Sequence, residues 1–291
     1  MTVSQTASHY FQEGSHVLAK ESGYLIWVNP EGNYHGKDAV DYELCAAISA
    51  MSVKLCSPLV KNTVIFVPKN YEFKHPHLKS VWTYIKEWKF DQENFWQDDL
   101  LIMKNSPFKY TMRLDSDVVI TGDGINETWH RVWQLGLAIT CNIANINGDI
   151  IENPYRQQDG SVWTTHAFLP NAYVAVMGAN IQHEKFQKLQ QGWQWALKNV
   201  HRICVNNDVQ DSDKLLGLSV MHSNLIMCQA PFFVHAKPLC IFQQRIWSSV
   251  STLTFANGVW RLSNIAQKLP IHMAEKSLLT PKLAQQLWSS L

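Results

Sequence analysis

The chain has 291 residues and a mass of 33.4 kDa, enough for one large α/β domain or two modest ones and for a sizeable buried core. With 46% hydrophobic and 17% charged residues, and only 13 Gly and 11 Pro, it is a globular protein and not a disordered or collagen-like one. Twenty-five Lys and Arg against 24 Asp and Glu give a net charge of +1, so no global field draws it to nucleic acid or to an anionic membrane.

Six cysteines (Cys45, Cys56, Cys141, Cys204, Cys228, Cys240) form no CxxC pair, which argues against a zinc ribbon or a disulfide scaffold and for reduced thiols. Gln5, His9, Gln12, Glu13 and His16 interrupt the N-terminal stretch where a signal peptide needs an apolar run, and no segment reaches about 18 apolar residues. A soluble, cytoplasmic protein is expected.

In chain order, Tyr24 to Val28 reads as a buried strand entering an Asn-Pro-Glu-Gly-Asn turn, and Asp38 to Leu55 as an amphipathic helix with Val40, Leu44, Ile48, Met51 and Leu55 on one face. Thr63 to Val67 is a second strand. This β-loop-α-β order predicts a mostly parallel, Rossmann-like central sheet flanked by helices, with ligands at the carboxyl edge of its strands. The spacing of Leu78, Val81, Ile85 and Trp88 predicts a helix over 76–89, and Asp91 to Asp99 reads as a surface loop. Leu100 to Lys104, Met112 to Ile120, Leu137 to Ile143 and Tyr173 to Ala179 read as strands, with a long loop from Asn145 to Ser161. His183 to Val200 is the clearest helix, and Thr280-Pro281 opens a capped C-terminal one. The organisation expected is a main domain over 1–250 and a C-terminal helical extension over 251–291 packed on it.

The octet Arg113-Leu-Asp115-Ser-Asp117-Val-Val-Ile120 carries the most chemistry. Two carboxylates flanked by apolar residues at a strand end are costly to bury unless a cation compensates. A hard divalent ion with phosphate oxygens would do so, whereas a strand-end turn capping a helix is the structural alternative. Arg113 either pairs with a carboxylate or reaches a ligand. His75-Pro-His77 reads as a surface pair and Gly122-Asp-Gly124 as a turn; no phosphate-binding glycine loop is present.

This octet resembles the DXD strand of the GT-A glycosyltransferases, and further blocks over about residues 23 to 240 follow in that family's order. Tyr24 to Asn33 is similar to the first strand and nucleoside-holding loop, which implies roles for Asn29 and Tyr34. Leu169-Pro-Asn171-Ala-Tyr173 to Met177 resembles the segment lining the sugar pocket. Asp211-Ser-Asp213 resembles the acidic motif that opens the next helix and contacts sugar or acceptor; Lys214 stands where the family has an acidic or amide residue. Phe233-Val-His235-Ala-Lys237 resembles the late strand with a metal-binding His and a diphosphate-binding Lys.

The resemblance implies a GT-A-like single domain that uses a nucleotide sugar, UDP-linked by preference, with Mn²⁺ or Mg²⁺. It implies Asp115, Asp117 and His235 as metal ligands, and Asn29, Tyr34, Arg113, Asp115, Ser116, Asp117, Asn171 and Lys237 around the donor. Asp211 and Asp213 are the candidate catalytic carboxylates. The spacing from Leu114-Asp-Ser-Asp117 through Trp129 and Trp133 to Leu169-Pro170 and Tyr173 is similar to small phage-type enzymes, which implies 5-hydroxymethylcytosine in DNA as acceptor. A glycan, lipid-linked or protein acceptor is the alternative, and an inactive sugar-nucleotide-binding module a second.

Overall fold

The computed structural model describes residues 17–29, 40–91, 95–140, 142–144, 150–151, 172–203, 212–225, 231–235, 252–273 and 276–291. Strands β1 (Ser22–Trp27) and β2 (Thr63–Pro68) are buried almost throughout, which is why both read as continuous apolar runs. Helix α1 (Tyr42–Cys56) connects them, capped by Asp41, whose carboxylate accepts the Leu44 N–H at 3.0 Å. Strand β3 (Tyr84–Trp88) pairs parallel to β2, and β4 (Tyr110–Leu114) pairs parallel to β1. Helix α2 (Asp99–Lys104) precedes β4; β5 (Val118–Val119) and helix α3 (Asn126–Leu135) follow it.

Strand β6 (Leu137–Thr140) and the long β9 (Tyr173–Asn180) complete the sheet. Its order is β3-β2-β1-β4-β9-β6, with β9 antiparallel to both neighbours. The sheet is therefore mixed, parallel on the side that carries β1 and antiparallel beyond β4. Alternation along the strands divides the core into two layers. Tyr24, Ile26, Ile65 and Met112 join Leu44, Ile48 and Met51 of α1 and Trp129 and Val132 of α3. Leu25, Trp27, Val64 and Phe66 join Leu100 and Met103 of α2. The same second layer takes in Phe186, Leu189 and Trp193 of α4 (Glu184–Ile203) and Leu215 and Leu216 of α5 (Ser212–Ser223).

A second, smaller sheet joins β5 to β14 (Ile271–His272), β10 (Pro231–His235), β7 (Asn142–Ala144) and β8 (Ile150–Ile151), in the order β5-β14-β10-β7-β8. A third is the antiparallel meander β11 (Leu253–Ala256), β12 (Val259–Leu262) and β13 (Ile265–Ala266). The chain closes with α6 (Pro281–Trp288), where the Thr280 hydroxyl caps the Leu283 N–H. Among the described residues no helix is long and apolar enough to cross a membrane.

Several expectations are corrected. Residues 76–89 are not a helix: a short 3₁₀ turn from Pro76 to Val81 leads into β3, because the open edge of β2 takes up Tyr84 to Trp88 as its partner. Leu100 to Lys104 is helical, an apolar run too short for periodicity to separate the two states. Asp98 and Asp99 are buried and do not belong to a surface loop. The expected strand over Met112–Ile120 divides at Asp115 into β4 and β5, which belong to different sheets, and the one over Leu137–Ile143 divides into β6 and β7.

The segment 251–291 is strands before it is helix. Asn257-Gly258, with φ of 53° and 76°, is a two-residue hairpin turn between Leu253–Ala256 and Val259–Leu262, and Ser263-Asn264 makes a second.

Candidate functional site

The carboxyl ends of the parallel strands β1 and β4 lie side by side and carry the polar groups. Asn29 follows β1; it is fully buried, and neither atom of its side-chain amide has a partner among the described residues. Asp115 follows β4 and starts a tight turn, closed by the Val118 N–H donating to the Asp115 carbonyl at 3.0 Å. That turn reverses the chain into β5, so Asp115 and Asp117 share one end of the strand pair with Ser116 half-buried between them.

Strand β14 pairs antiparallel with β5, placing His272 opposite Val118, and the Met273 N–H donates to the Asp117 carbonyl at 2.9 Å. His272 Nε2 thereby comes to 3.3 Å from Asp117 Oδ1 and 3.7 Å from Asp115 Oδ2. One ligating atom from each of Asp115, Asp117 and His272 lies within 4.8 Å of the other two. Two carboxylate oxygens and one imidazole nitrogen are a donor set that can hold a divalent first-row ion, so these residues fit the expected divalent cation; the imidazole suits Mn²⁺ better than the oxygen-seeking Mg²⁺.

Behind Asp115 lies a buried charge group. Arg113 is enclosed between the β4 residues Met112 and Leu114 and turns into the second core layer. Its Nη1 contacts Asp115 Oδ1 at 2.6 Å and donates to the Val174 carbonyl at 2.6 Å. Its Nε and Nη2 reach Asp99 Oδ1 at 3.0 and 2.8 Å, and the Trp27 indole N–H donates to the same oxygen at 2.7 Å. Burial opposes the Arg113 charge, but the Asp115 and Asp99 carboxylates outweigh it and hold its pKa above the ordinary guanidinium value. Burial likewise pushes the Asp99 carboxyl up, with the guanidinium working against that push. The sequence alternative in which Arg113 pairs with a carboxylate is the arrangement seen.

Asp213, in the first turn of α5, accepts the Val174 N–H at 2.7 Å. Val174 thus joins Asp213 to Arg113, and Arg113 to Asp115. Of the other expected residues, Tyr34, Asn171, Asp211 and Lys237 lie outside the described residues, as does the side chain of His235. The backbone of His235 ends β10 in register with His272.

His272 was not legible as a ligand, because Ile271-His272 is a two-residue strand whose meaning comes only from pairing with β5. From sequence, Asp99 reads as a surface-loop residue, whereas it is buried. Its signal was an acidic residue at the start of an apolar run, in front of the strand that holds Arg113.

No protein-family model matches the chain, and no curated protein matches it in sequence. Among solved structures it is similar to the galactosyltransferase LgtC in complex with donor and acceptor sugar analogues. That match has a TM-score of 0.52 at 12% identity and covers 92% of this chain and 96% of LgtC. An active-site mutant of LgtC matches over the same shares with a TM-score of 0.51, also at 12% identity. These neighbours are GT-A glycosyltransferases, and the chain has the GT-A fold.

Proposed function

We propose that the chain is a metal-dependent glycosyltransferase that moves a sugar from a nucleotide sugar to a hydroxyl acceptor in the cytoplasm. The observation that carries this reading is the Asp115, Asp117 and His272 cluster at the carboxyl edge of a GT-A sheet. Departure of a sugar leaves charge on a nucleoside diphosphate, which needs fixed positive charge. A divalent ion held by these three residues supplies that charge when bound. The amide of Asn29, without a partner among the described residues, offers a buried donor and acceptor to the nucleoside, with Tyr34 following it in sequence.

Ser116, Asn171 and Lys237 belong to the same donor site in this reading, and UDP is the nucleotide we favour. Asp213 is the carboxylate we assign to the transferred sugar or acceptor; its anchor on the Val174 N–H supports a fixed orientation. Asp211, two residues before Asp213 in sequence, and His235, whose backbone is in register with His272, are second candidates for those two roles.

For the acceptor we favour 5-hydroxymethylcytosine in DNA, on the strength of the phage-type spacing. A sugar acceptor is the second reading, since LgtC was solved with an acceptor sugar analogue. A panel of UDP-sugars with Mn²⁺, offered to hydroxymethylated DNA, unmodified DNA and free glycans with mass-spectrometric readout, separates them. Mass gain on the modified base alone supports the first, and gain on a glycan supports the second. Neither transfer nor donor hydrolysis, with nucleotide still bound, points to a binding module. Asp115→Ala should abolish transfer while the circular dichroism spectrum is retained; wild-type turnover in that variant refutes the metal role.

A further inference from the structure

We propose that Asp99 and Arg113 are positioning residues that set the divalent-metal affinity of Asp115, an inference that rests on the metal-dependent reading above. Arg113 Nη1 lies 2.6 Å from Asp115 Oδ1, whereas Asp115 Oδ2 is the oxygen on the His272 side, 3.7 Å from the imidazole. The guanidinium therefore takes one oxygen of the carboxylate and leaves the other turned toward the metal cluster. A fixed cation in that place is also a competitor, since it draws on the same charge that would bind the ion.

Asp99 moderates the competition. It is fully buried, belongs to a different element from the metal cluster, and accepts both Nε and Nη2 of Arg113 on Oδ1. Among the described residues, the carboxylates of Asp99 and Asp115 pair with the guanidinium and Asp117 lies beside Asp115 in the cluster, so three carboxylates against one guanidinium leave two negative charges, the charge of one divalent ion. A neutral side chain at position 99 would leave the guanidinium paired with Asp115 alone and lower the surplus to one. The Trp27 indole N–H also donates to Asp99 Oδ1, without adding charge. The Val174 carbonyl fixes Nη1, so Arg113 cannot follow Asp115 away from its place.

The test is Mn²⁺ binding to the full chain, followed by electron paramagnetic resonance titration, with thermal melts of each variant. Asp99→Asn should weaken Mn²⁺ about tenfold, the scale on which partners behind metal ligands act. Its transfer activity should return toward wild type as Mn²⁺ is raised. Trp27→Phe, which loosens the same pocket but keeps the charge, should bind Mn²⁺ at least as tightly as wild type even if it melts lower. Asp99→Ser, neutral and small enough to admit water, carries the same expectation as Asp99→Asn should that variant not fold.

Unchanged affinity in the neutral variants overturns the proposal. So does weakening in Trp27→Phe equal to that in Asp99→Asn, which would mark the pocket as merely structural. Wild-type protein that binds no Mn²⁺ overturns the metal-dependent reading and this inference together. Wild-type binding left untouched by Asp99→Asn overturns this inference alone.

Discussion

Replacing His272 by alanine separates the metal cluster from the fold. The imidazole is one of three groups whose ligating atoms lie within 4.8 Å of one another, 3.3 Å from Asp117 Oδ1 and 3.7 Å from Asp115 Oδ2. Loss of a partner behind a metal ligand typically weakens binding 10- to 100-fold, so loss of the ligand itself belongs at the upper end, about 100-fold. At about 1.4 kcal/mol per factor of ten, that is about 2.8 kcal/mol of metal affinity. The fold should feel far less. The contacts of β14 with β5 and the Met273 N–H bond to the Asp117 carbonyl are made by backbone, and they survive the truncation.

A stability loss of about 1 kcal/mol is expected, which for a chain of this size lowers Tm by roughly 2–4 °C. Calorimetric titration with Mn²⁺ and a thermal melt give both numbers from one preparation. An Mn²⁺ affinity within threefold of wild type would refute the assignment of His272. If His235→Ala then produced the 100-fold loss instead, the ligand would be its in-register neighbour on β10.

Two further outcomes test the scaffold. Asp41 caps α1 and also contacts His75 Nε2 at 2.8 Å, so Asp41→Ala should cost about 1 kcal/mol in chemical denaturation. Burial raises the Asp41 pKa, but the bonds from His75 and the Leu44 N–H outweigh it and hold the carboxyl below its ordinary value. The folded pKa is then below the unfolded one, so the contribution is complete above about pH 4 and is lost as pH falls through the folded value. The gap between wild type and Asp41→Ala should persist at pH 5 and close below about pH 4; a gap that widens there contradicts the pairing. In β9, a Cβ at Gly178 would stand 2.3 Å from Val132 Cγ2 and 3.2 Å from Met112 Sδ. Gly178→Ala should therefore destabilise by about 1–3 kcal/mol, read as a lower denaturation midpoint with unchanged slope.

What the sequence made legible follows from where energy is local. The buried runs at Tyr24 to Val28 and Thr63 to Val67, the face of α1 and the long α4 all announce themselves through periodicity and burial, and with them the parallel half of the sheet. The DXD octet stood out because two carboxylates in an apolar strand end demand a cation. Residues 76–89 read as a helix by their apolar spacing, while the pairing that makes Tyr84 to Trp88 a strand is supplied by β2, which no local window contains. The C-terminal strands have a local signal, Asn257-Gly258 between two apolar-rich runs, beside the stronger helix cap at Thr280. His272 and Asp99 had none of comparable strength. Each acquires its chemistry from a side chain brought up by tertiary pairing, His272 from Asp117 across β5 and β14, and Asp99 from Arg113 across α2 and β4.

The placement of β14 also bears on the order in which the protein matures. A chain made from its N-terminus presents Asp115 and Asp117 early, on a sheet edge that β1, β2 and β4 can already assemble, while His272 is still to be synthesised. Two aspartates alone would make a weaker, more open chelate than the three-residue cluster. On the metal-dependent reading, tight capture of an ion would wait until β14 closes against β5, so that metal loading would serve as a checkpoint on completion, and a stalled or clipped chain that has folded its main sheet would remain unloaded.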